Sequence, residues 1–116
     1  MKTYTKEHLW IEETADGEYR IGITEFASSQ MNGIVYVEQP MVIGREYKKG
    51  DDFCNVESVK NSSYLSAPFS CELLSFNIDC LDKINDDAEG EGYICIVKAE
   101  PGIRFMDKAE YESYCS

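Results

Sequence analysis

The sequence lacks the residues that most metal and disulfide sites require. It has a single histidine, His8, and its five cysteines include no Cys-x-x-Cys pair. Zinc sites need clustered thiolate and imidazole ligands, and a disulfide framework needs an even number of cysteines. We therefore expect no metal site, and we expect most of the cysteines to be reduced, small, apolar core residues.

Long apolar runs and an excess of basic residues are also missing. Apolar residues make up 43% of the 116 residues but are scattered, whereas a membrane span needs about 20 in succession. Acidic residues outnumber basic ones 22 to 11, which gives a net charge of −11 that repels phosphate backbones and anionic lipid. We predict a monomer that binds neither nucleic acid nor membrane. The charge either favours docking on basic patches of other proteins or only keeps the protein soluble. The N-terminal residues show no signal-peptide pattern, so we expect a cytoplasmic location, or the mitochondrial matrix if a presequence was removed.

No pattern typical of an enzyme is present. We find no nucleophile with a paired base and no metal cluster. The segment Gly90-Glu91-Gly92 resembles a phosphate loop only superficially, because a strand-like run follows it where a phosphate loop needs a helix. We therefore expect a non-catalytic protein.

The chain reads as one mostly β domain over residues 1–116. Short runs rich in β-branched and aromatic residues are separated by turn signals, of which Asp16-Gly17 is a strong hairpin signal. The predicted strands are residues 9–11, 19–23, 34–37, 53–59, 64–67, 72–76 and 93–97. Regularly spaced short strands favour a compact β barrel or sandwich.

Two helices are predicted. Thr24 can cap a short helix that ends at Asn32-Gly33, directly after the first hairpin. Asp107 and Glu110 have the spacing of a capping box, which predicts a C-terminal helix over about residues 107–115.

One segment suggests a function. A strand-like run from Phe53 ends at Lys60, small polar residues follow, and a second extended run begins, which predicts a hairpin over about residues 53–66 with Lys60 at its tip. A modifying enzyme needs a lysine amine that it can reach without unfolding the domain. From local spacing alone, an ordinary solvated lysine in a turn is the favoured interpretation.

Ordered matches along nearly the whole chain resemble the glycine cleavage system H-protein family. Glu57-Ser58-Val59-Lys60 is similar to the family's lipoylation motif. Further segments fall in register with the family pattern: residues 4–10, 21–27, 35–40, 48–51, 67–68, 77, 85–87 and 90–93.

The resemblance implies a lipoyl-type barrel-sandwich hybrid fold and a carrier that holds lipoate on Lys60. It implies a shuttle of the aminomethyl intermediate of glycine among glycine decarboxylase, aminomethyltransferase and dihydrolipoyl dehydrogenase, after modification by a lipoate ligase or lipoyltransferase. Biotin carriers share the architecture, but they typically flank their lysine with methionines, whereas the neighbours here are Val59 and Asn61.

Several positions depart from the family pattern. Asn61 replaces an alanine, Cys71 replaces a glycine in a turn, and Ala88-Glu89 replace a Pro-Tyr pair. If that turn needs positive φ, Cys71 would be strained by about 1 kcal/mol or more. Cys71 can also be interpreted as a redox partner of the lipoyl dithiol, although a filler role in the core or a turn is favoured.

The residues Glu7, His8 and Glu25 are expected to line a docking groove for the arm. Other hypotheses stay open. An H-like paralogue could donate or carry lipoate for another system, and a chain that has lost its modification could act as a binding module through protein contacts alone.

Overall fold

The computed structural model describes residues 2–116, so Met1 of the predicted 1–116 domain lies outside the described residues. Within that range the chain forms nine strands and three short helices. Their bounds, in chain order, are β1 Lys2–Tyr4, β2 Leu9–Ala15, β3 Glu18–Ile23, α1 Glu25–Met31, β4 Ile34–Glu38, β5 Glu46–Tyr47, β6 Asp52–Ser58, β7 Ser62–Ser66, β8 Cys71–Phe76, α2 Cys80–Lys83, β9 Cys95–Lys98 and α3 Lys108–Cys115.

The strands form two antiparallel sheets. The larger sheet has the order β1-β2-β3-β9-β8-β5, and the smaller sheet has the order β4-β6-β7. One apolar core combines side chains of both sheets, such as Ile21 and Val97 from the larger sheet and Val37 and Val56 from the smaller. The predicted mostly β, barrel-sandwich class is confirmed, with two packed sheets rather than one closed barrel.

The first hairpin forms where the Asp-Gly signal predicts it. Strands β2 and β3 pair from Leu9 opposite Ile23 to Ala15 opposite Glu18. Gly17 in the connecting turn has φ of +77°, a left-handed conformation that costs glycine little because it has no Cβ.

Both main helices begin and end at the predicted signals. The Thr24 side chain caps α1 by accepting a hydrogen bond from Ala27 N at 3.2 Å, and Asn32 ends the helix at φ of +54°. At α3, Asp107 Oδ1 accepts from Glu110 N at 2.8 Å, and Glu110 Oε1 accepts from Asp107 N at 3.1 Å. The two hydrogen bonds between Asp107 and Glu110 form a complete capping box, as the sequence predicts.

Other elements were not predicted, and several strand boundaries moved, of which the end of β2 moved by four residues. Strands β1 and β5 and helix α2 are only two to four residues long, too short to show a periodic pattern. Strand β7 begins two residues earlier than predicted, and β9 begins two residues later. Short edge strands such as β1 depend on tertiary pairing, here with β2 and through a bridge between Tyr4 and Met106.

A second, smaller core lies under α3. Tyr4, Trp10 and Tyr111 are buried together there, and the rings of Tyr4 and Tyr111 stack with centroids 5.0 Å apart. Tyr111 therefore packs α3 against β1 and β2 of the larger sheet. Tyr114, one turn farther along α3, is 47% exposed.

Trp10 determines which residue type can stand opposite it in the hairpin of β2 and β3. Its indole is fully buried, and Nε1 donates to Ala88 O at 2.8 Å. A Cβ added at Gly22, its partner in β3, would stand 2.5 Å from that nitrogen. Glycine is therefore required at position 22 because the indole occupies the space that a side chain would need.

We predict that Gly22→Ala lowers the free energy of unfolding by about 1–3 kcal/mol, the usual cost of overpacking a filled site. Urea denaturation of the purified variant measures this. The loss should shrink in a Trp10→Phe background, where the smaller ring leaves room for the methyl group. An equal loss in both backgrounds would show that the indole is not the cause.

Candidate functional site

Lys60 lies in the bend between β6 and β7. The two strands pair from Asp52 opposite Ser66 to Glu57 opposite Ser62, which leaves residues 58–61 to reverse the chain. The Lys60 side chain is exposed, and no hydrogen bond or ion pair joins it to another residue of the described range 2–116. Its amine is therefore open to a reagent or an enzyme.

Ser58 and Asn61 close this bend. Ser58 N donates to Asn61 O at 2.8 Å, and Asn61 N donates to Ser58 Oγ at 3.1 Å. Ser58 is only 8% exposed although it borders the tip, because its hydroxyl turns inward to this hydrogen bond. The backbone that carries Lys60 is thus fixed at both ends of the turn.

The other motif residues have different surroundings. Glu57 is half-buried and faces Tyr36 of β4 on one side and Ser62 of β7 on the other. Val59, next to Lys60, is 81% exposed and contributes little to the core. Val59 and Lys60 therefore form the outermost part of the hairpin, and Glu57 and Ser58 form its support.

A groove of about 460 Å³ opens beside the hairpin. Its floor and walls combine the loop before β2, one face of α1 and the strands of the lysine hairpin. The lining residues are Glu7, His8, Ile23, Phe26, Ala27, Gln30, Met31, Val56, Asn61, Ser62, Ser63 and Leu65. Asn61, the residue after Lys60, is one of the lining residues, so the groove begins directly beside the bend.

The structure brings together two of the three predicted groove residues. Glu7 and His8 line the groove, but Glu25 does not. The backbone N–H of Glu25 donates to a carboxylate oxygen of Glu89 at 2.9 Å, and Glu25 lines a separate cavity against α3. Glu25, the first residue of α1, therefore belongs to the side of the helix that faces Glu89.

The apolar side chains of the groove were not predicted from the sequence. Phe26, Ala27 and Met31 come from α1, and Leu65 comes from β7. The spacing of Ala27 and Met31, four residues apart on a helix, was a usable signal because such residues share one face. Leu65 gave no signal, since its place opposite the helix depends on how the two sheets pack.

His8 is held in an unusual backbone conformation at the groove wall. Its φ is +69°, a value that few residues other than glycine adopt. Its N–H donates to Thr5 O at 3.1 Å, and its carbonyl accepts from Thr24 N at 3.0 Å. The turn before β2 and the cap of α1 together therefore fix its position.

Four of the five cysteines are buried, and all five are free. Burial raises the pKa of the Cys71 thiol to about 11 and that of the Cys80 thiol to about 12, so both stay protonated and are poor nucleophiles near neutral pH. Cys71 begins β8 and does not have the positive φ considered for it, so no strain arises there. Its burial in the main core supports the filler interpretation over the redox one.

The part of the chain that the structure describes holds no group of three or more histidine, cysteine or acidic side chains placed to bind a metal ion. None of the three helices found in residues 2–116 is long and apolar enough to cross a bilayer.

Comparison with known proteins gives one consistent answer. The family model described as glycine cleavage H-protein matches residues 2–116. The chain is 46% identical to a probable glycine cleavage system H protein of Pyrococcus abyssi, over 96% of this chain and 87% of that protein. It is 36% identical to a glycine cleavage system H protein of Cronobacter sakazakii, over 95% and 89% of the two chains.

A solved structure agrees. The crystal structure of a glycine cleavage system H protein from Mycobacterium marinum superposes with a TM-score of 0.85 at 30% sequence identity. The match covers 97% of this chain and 94% of that chain.

We predict that Ser58→Ala loosens the bend that carries Lys60. Loss of the hydroxyl removes the acceptor of Asn61 N, which should lower the free energy of unfolding by about 1–2 kcal/mol. It should also speed amide hydrogen exchange at Asn61, measured by NMR. Ser63→Ala is the matched control, because Ser63 is exposed and its hydroxyl makes none of these hydrogen bonds. Equal exchange rates in the two variants would contradict the role given to Ser58.

Proposed function

Because the chain belongs to the glycine cleavage H-protein family, we propose that it is a lipoyl carrier that holds lipoate as an amide on Lys60. The observation that carries this proposal is an exposed, unpaired amine on a bend whose backbone is fixed by Ser58 and Asn61. Residues 57–60 present the lipoylation motif at that place.

The residues present fit a covalently attached arm. From this chain, amide formation needs only the amine of Lys60, which displaces the leaving group of an activated lipoyl carboxyl supplied by the modifying enzyme. The product replaces a charged side chain by a long, neutral and flexible one. The adjoining groove has apolar walls from Phe26, Met31 and Leu65 and polar groups at Glu7 and His8. Such a surface suits an apolar chain that ends in a polar group, because each part meets a matching wall.

In this proposal, the carrier shuttles the aminomethyl intermediate of glycine among three enzymes: glycine decarboxylase, aminomethyltransferase and dihydrolipoyl dehydrogenase. The bond-making and bond-breaking chemistry belongs to those enzymes. The carrier supplies effective concentration, because a tethered intermediate reaches each partner through docking rather than through a search by a free small molecule. A groove that takes up the arm would also exclude water from its labile end.

The hairpin tip is proposed as the surface that the lipoate ligase or lipoyltransferase reads. Val59 is an apolar residue that is 81% exposed beside the target amine, where it adds nothing to the core. An enzyme that binds Lys60 at this tip would also contact the exposed Val59 side chain. The net charge of −11 favours enzyme surfaces with basic patches, and we propose that the carrier works as a cytoplasmic monomer.

We predict that a lipoate ligase adds one lipoyl group to the folded protein and that peptide mapping by mass spectrometry places it on Lys60. Lys60→Arg should remove the whole mass increment, because arginine keeps the charge but cannot form this amide. Lys49→Arg is the matched control, since Lys49 is also exposed in a tight turn closed by Lys48 and Asp51. An unmodified protein, under conditions that fully lipoylate a control carrier, would favour the unmodified binding module.

We also predict that Lys60→Arg abolishes glycine-dependent turnover when the carrier is combined with the three enzymes, while its far-ultraviolet circular dichroism and melting temperature stay unchanged. Lys60 makes no contact that supports the fold, so the loss would follow from the missing arm. Release of labelled carbon dioxide from glycine measures turnover. Normal turnover by the arginine variant would show that the arm is elsewhere or absent.

A further inference from the structure

The groove beside the lysine hairpin is linked to the C-terminal helix through one hydroxyl group. Tyr111 of α3 places its oxygen 2.7 Å from Nδ1 of His8 and 2.7 Å from Oγ1 of Thr24. His8 lines the groove, whereas Tyr111 does not. A residue on the far side of the groove wall therefore contacts the one imidazole in the chain.

The surroundings of the His8 ring leave it little freedom. Phe26 lies against it at 5.3 Å between ring centroids, and Tyr111 meets it edge-on at 5.7 Å. Its backbone is fixed on both sides, as described above. Among residues 2–116, only Nδ1 of the ring has a hydrogen-bond partner, so Nε2 is free for another group.

The protons available on Thr24, Tyr111 and His8 determine which group donates each hydrogen bond. Thr24 is fully buried, and its Oγ1 already accepts a hydrogen bond from Ala27 N. The Thr24 hydroxyl proton has one acceptor in the described part of the chain, the oxygen of Tyr111. A buried hydroxyl donor is costly to leave unpaired, so Thr24 donates to Tyr111.

The Tyr111 proton is then available for His8. A hydroxyl has one proton, and once its oxygen accepts from Thr24 that proton has two possible acceptors, Nδ1 of His8 at 2.7 Å and the thiol of Cys115 on the same helix. A thiol sulfur is only a weak acceptor, so the proton goes to the imidazole nitrogen. Burial is the main cause that raises the pKa of Tyr111 above its ordinary value, so the phenol keeps its proton throughout the physiological range. The neutral imidazole must then accept at Nδ1 and carry its own proton on Nε2.

We propose that Tyr111 is a positioning residue that holds His8 in one tautomer, with Nδ1 as acceptor and a proton on Nε2, at the wall of the groove. The Nε2 proton lies on the other side of the ring from Tyr111 and has no partner among the described residues. It is a donor for a hydrogen-bond acceptor atom in the groove. For the arm that the proposed function attaches to Lys60, such an atom is the amide carbonyl or a sulfur of the reduced dithiol.

The stacking of Tyr111 on Tyr4 explains how α3 can hold the hydroxyl in place. Tyr4 and Tyr111 lie nearly parallel, with 15° between their planes, so the phenol is held from below by β1. The capping box fixes the start of the same helix. The hydroxyl thus sits on a rigid support, which is what a positioning group needs.

The tautomer of His8 can be measured by NMR without overlap from other imidazoles, because the chain has one histidine. Two-bond proton–nitrogen correlation spectra of the unmodified protein, labelled with nitrogen-15 in histidine, distinguish the two neutral forms. For the neutral ring we expect only the form protonated on Nε2. In Tyr111→Phe, which keeps the stacked ring and loses the hydroxyl, the population protonated on Nδ1 should rise several-fold.

Two further variants separate positioning from folding. Tyr114→Phe, on the same helix with its ring 6.1 Å from His8, should leave the spectrum unchanged. Thr24→Ser, which keeps the hydroxyl, should also retain the wild-type tautomer. Backbone amide spectra show whether each variant is folded. A wild-type ring protonated on Nδ1, or a folded Tyr111→Phe protein with the wild-type tautomer, would overturn the proposal.

The part that rests on the proposed function is tested separately on lipoylated, chemically reduced protein. Attachment of the arm should shift the Nε2 signal of wild type, and the shift should be several-fold smaller in Tyr111→Phe. An unshifted Nε2 signal in fully lipoylated wild type would overturn the assignment of the arm as the partner of His8. Failure of lipoylation itself would count against the proposed function, while the tautomer spectra of unmodified protein would still test the positioning role.

Discussion

A four-residue bend determines what this molecule can present to others. The hydrogen bonds between Ser58 and Asn61 close the chain tightly, so that Val59 and Lys60 must project outward. The strands behind the bend are anchored by Val56, which is almost completely buried between the two sheets. The amine of Lys60 is therefore flexible at its end and rigid at its base, the combination that a swinging arm requires.

The groove beside the bend depends on a different part of the fold. Helix α1 supplies one wall, and its position follows from Thr24, which caps the helix and also binds the backbone of His8. The second core under α3 supports His8 from behind through Tyr111. The lysine hairpin and α1 thus form the groove together, and Asn61 of the bend is among its lining residues.

Much of this architecture could be predicted because its signals are local. The Asp16-Gly17 turn, the Thr24 cap and the Asp107 capping box each depend on residues within a few positions of one another, and each forms as predicted. The exposed position of Lys60 followed from two strand-like runs around a polar tip. The family resemblance added the function proposed for that lysine.

The features that were missed depend on distant contacts. Strand β1 exists because it pairs with β2 and touches Met106, more than 100 residues away. Glu25 was assigned to the groove because it starts α1, but Glu89 binds its backbone on another side of the helix. The hydrogen bond between Tyr111 and His8 joins residues 103 positions apart, and a contact over that separation gives no sequence pattern.

The folded hairpin, rather than the motif sequence alone, presents Lys60. A comparison of the rate at which a lipoate ligase modifies the folded protein with the rate for a linear peptide of residues 53–66, at equal concentration, tests this. We expect much faster modification of the folded protein, because the bend is already formed. Equal rates would contradict it, since the enzyme would then be reading sequence without the fold.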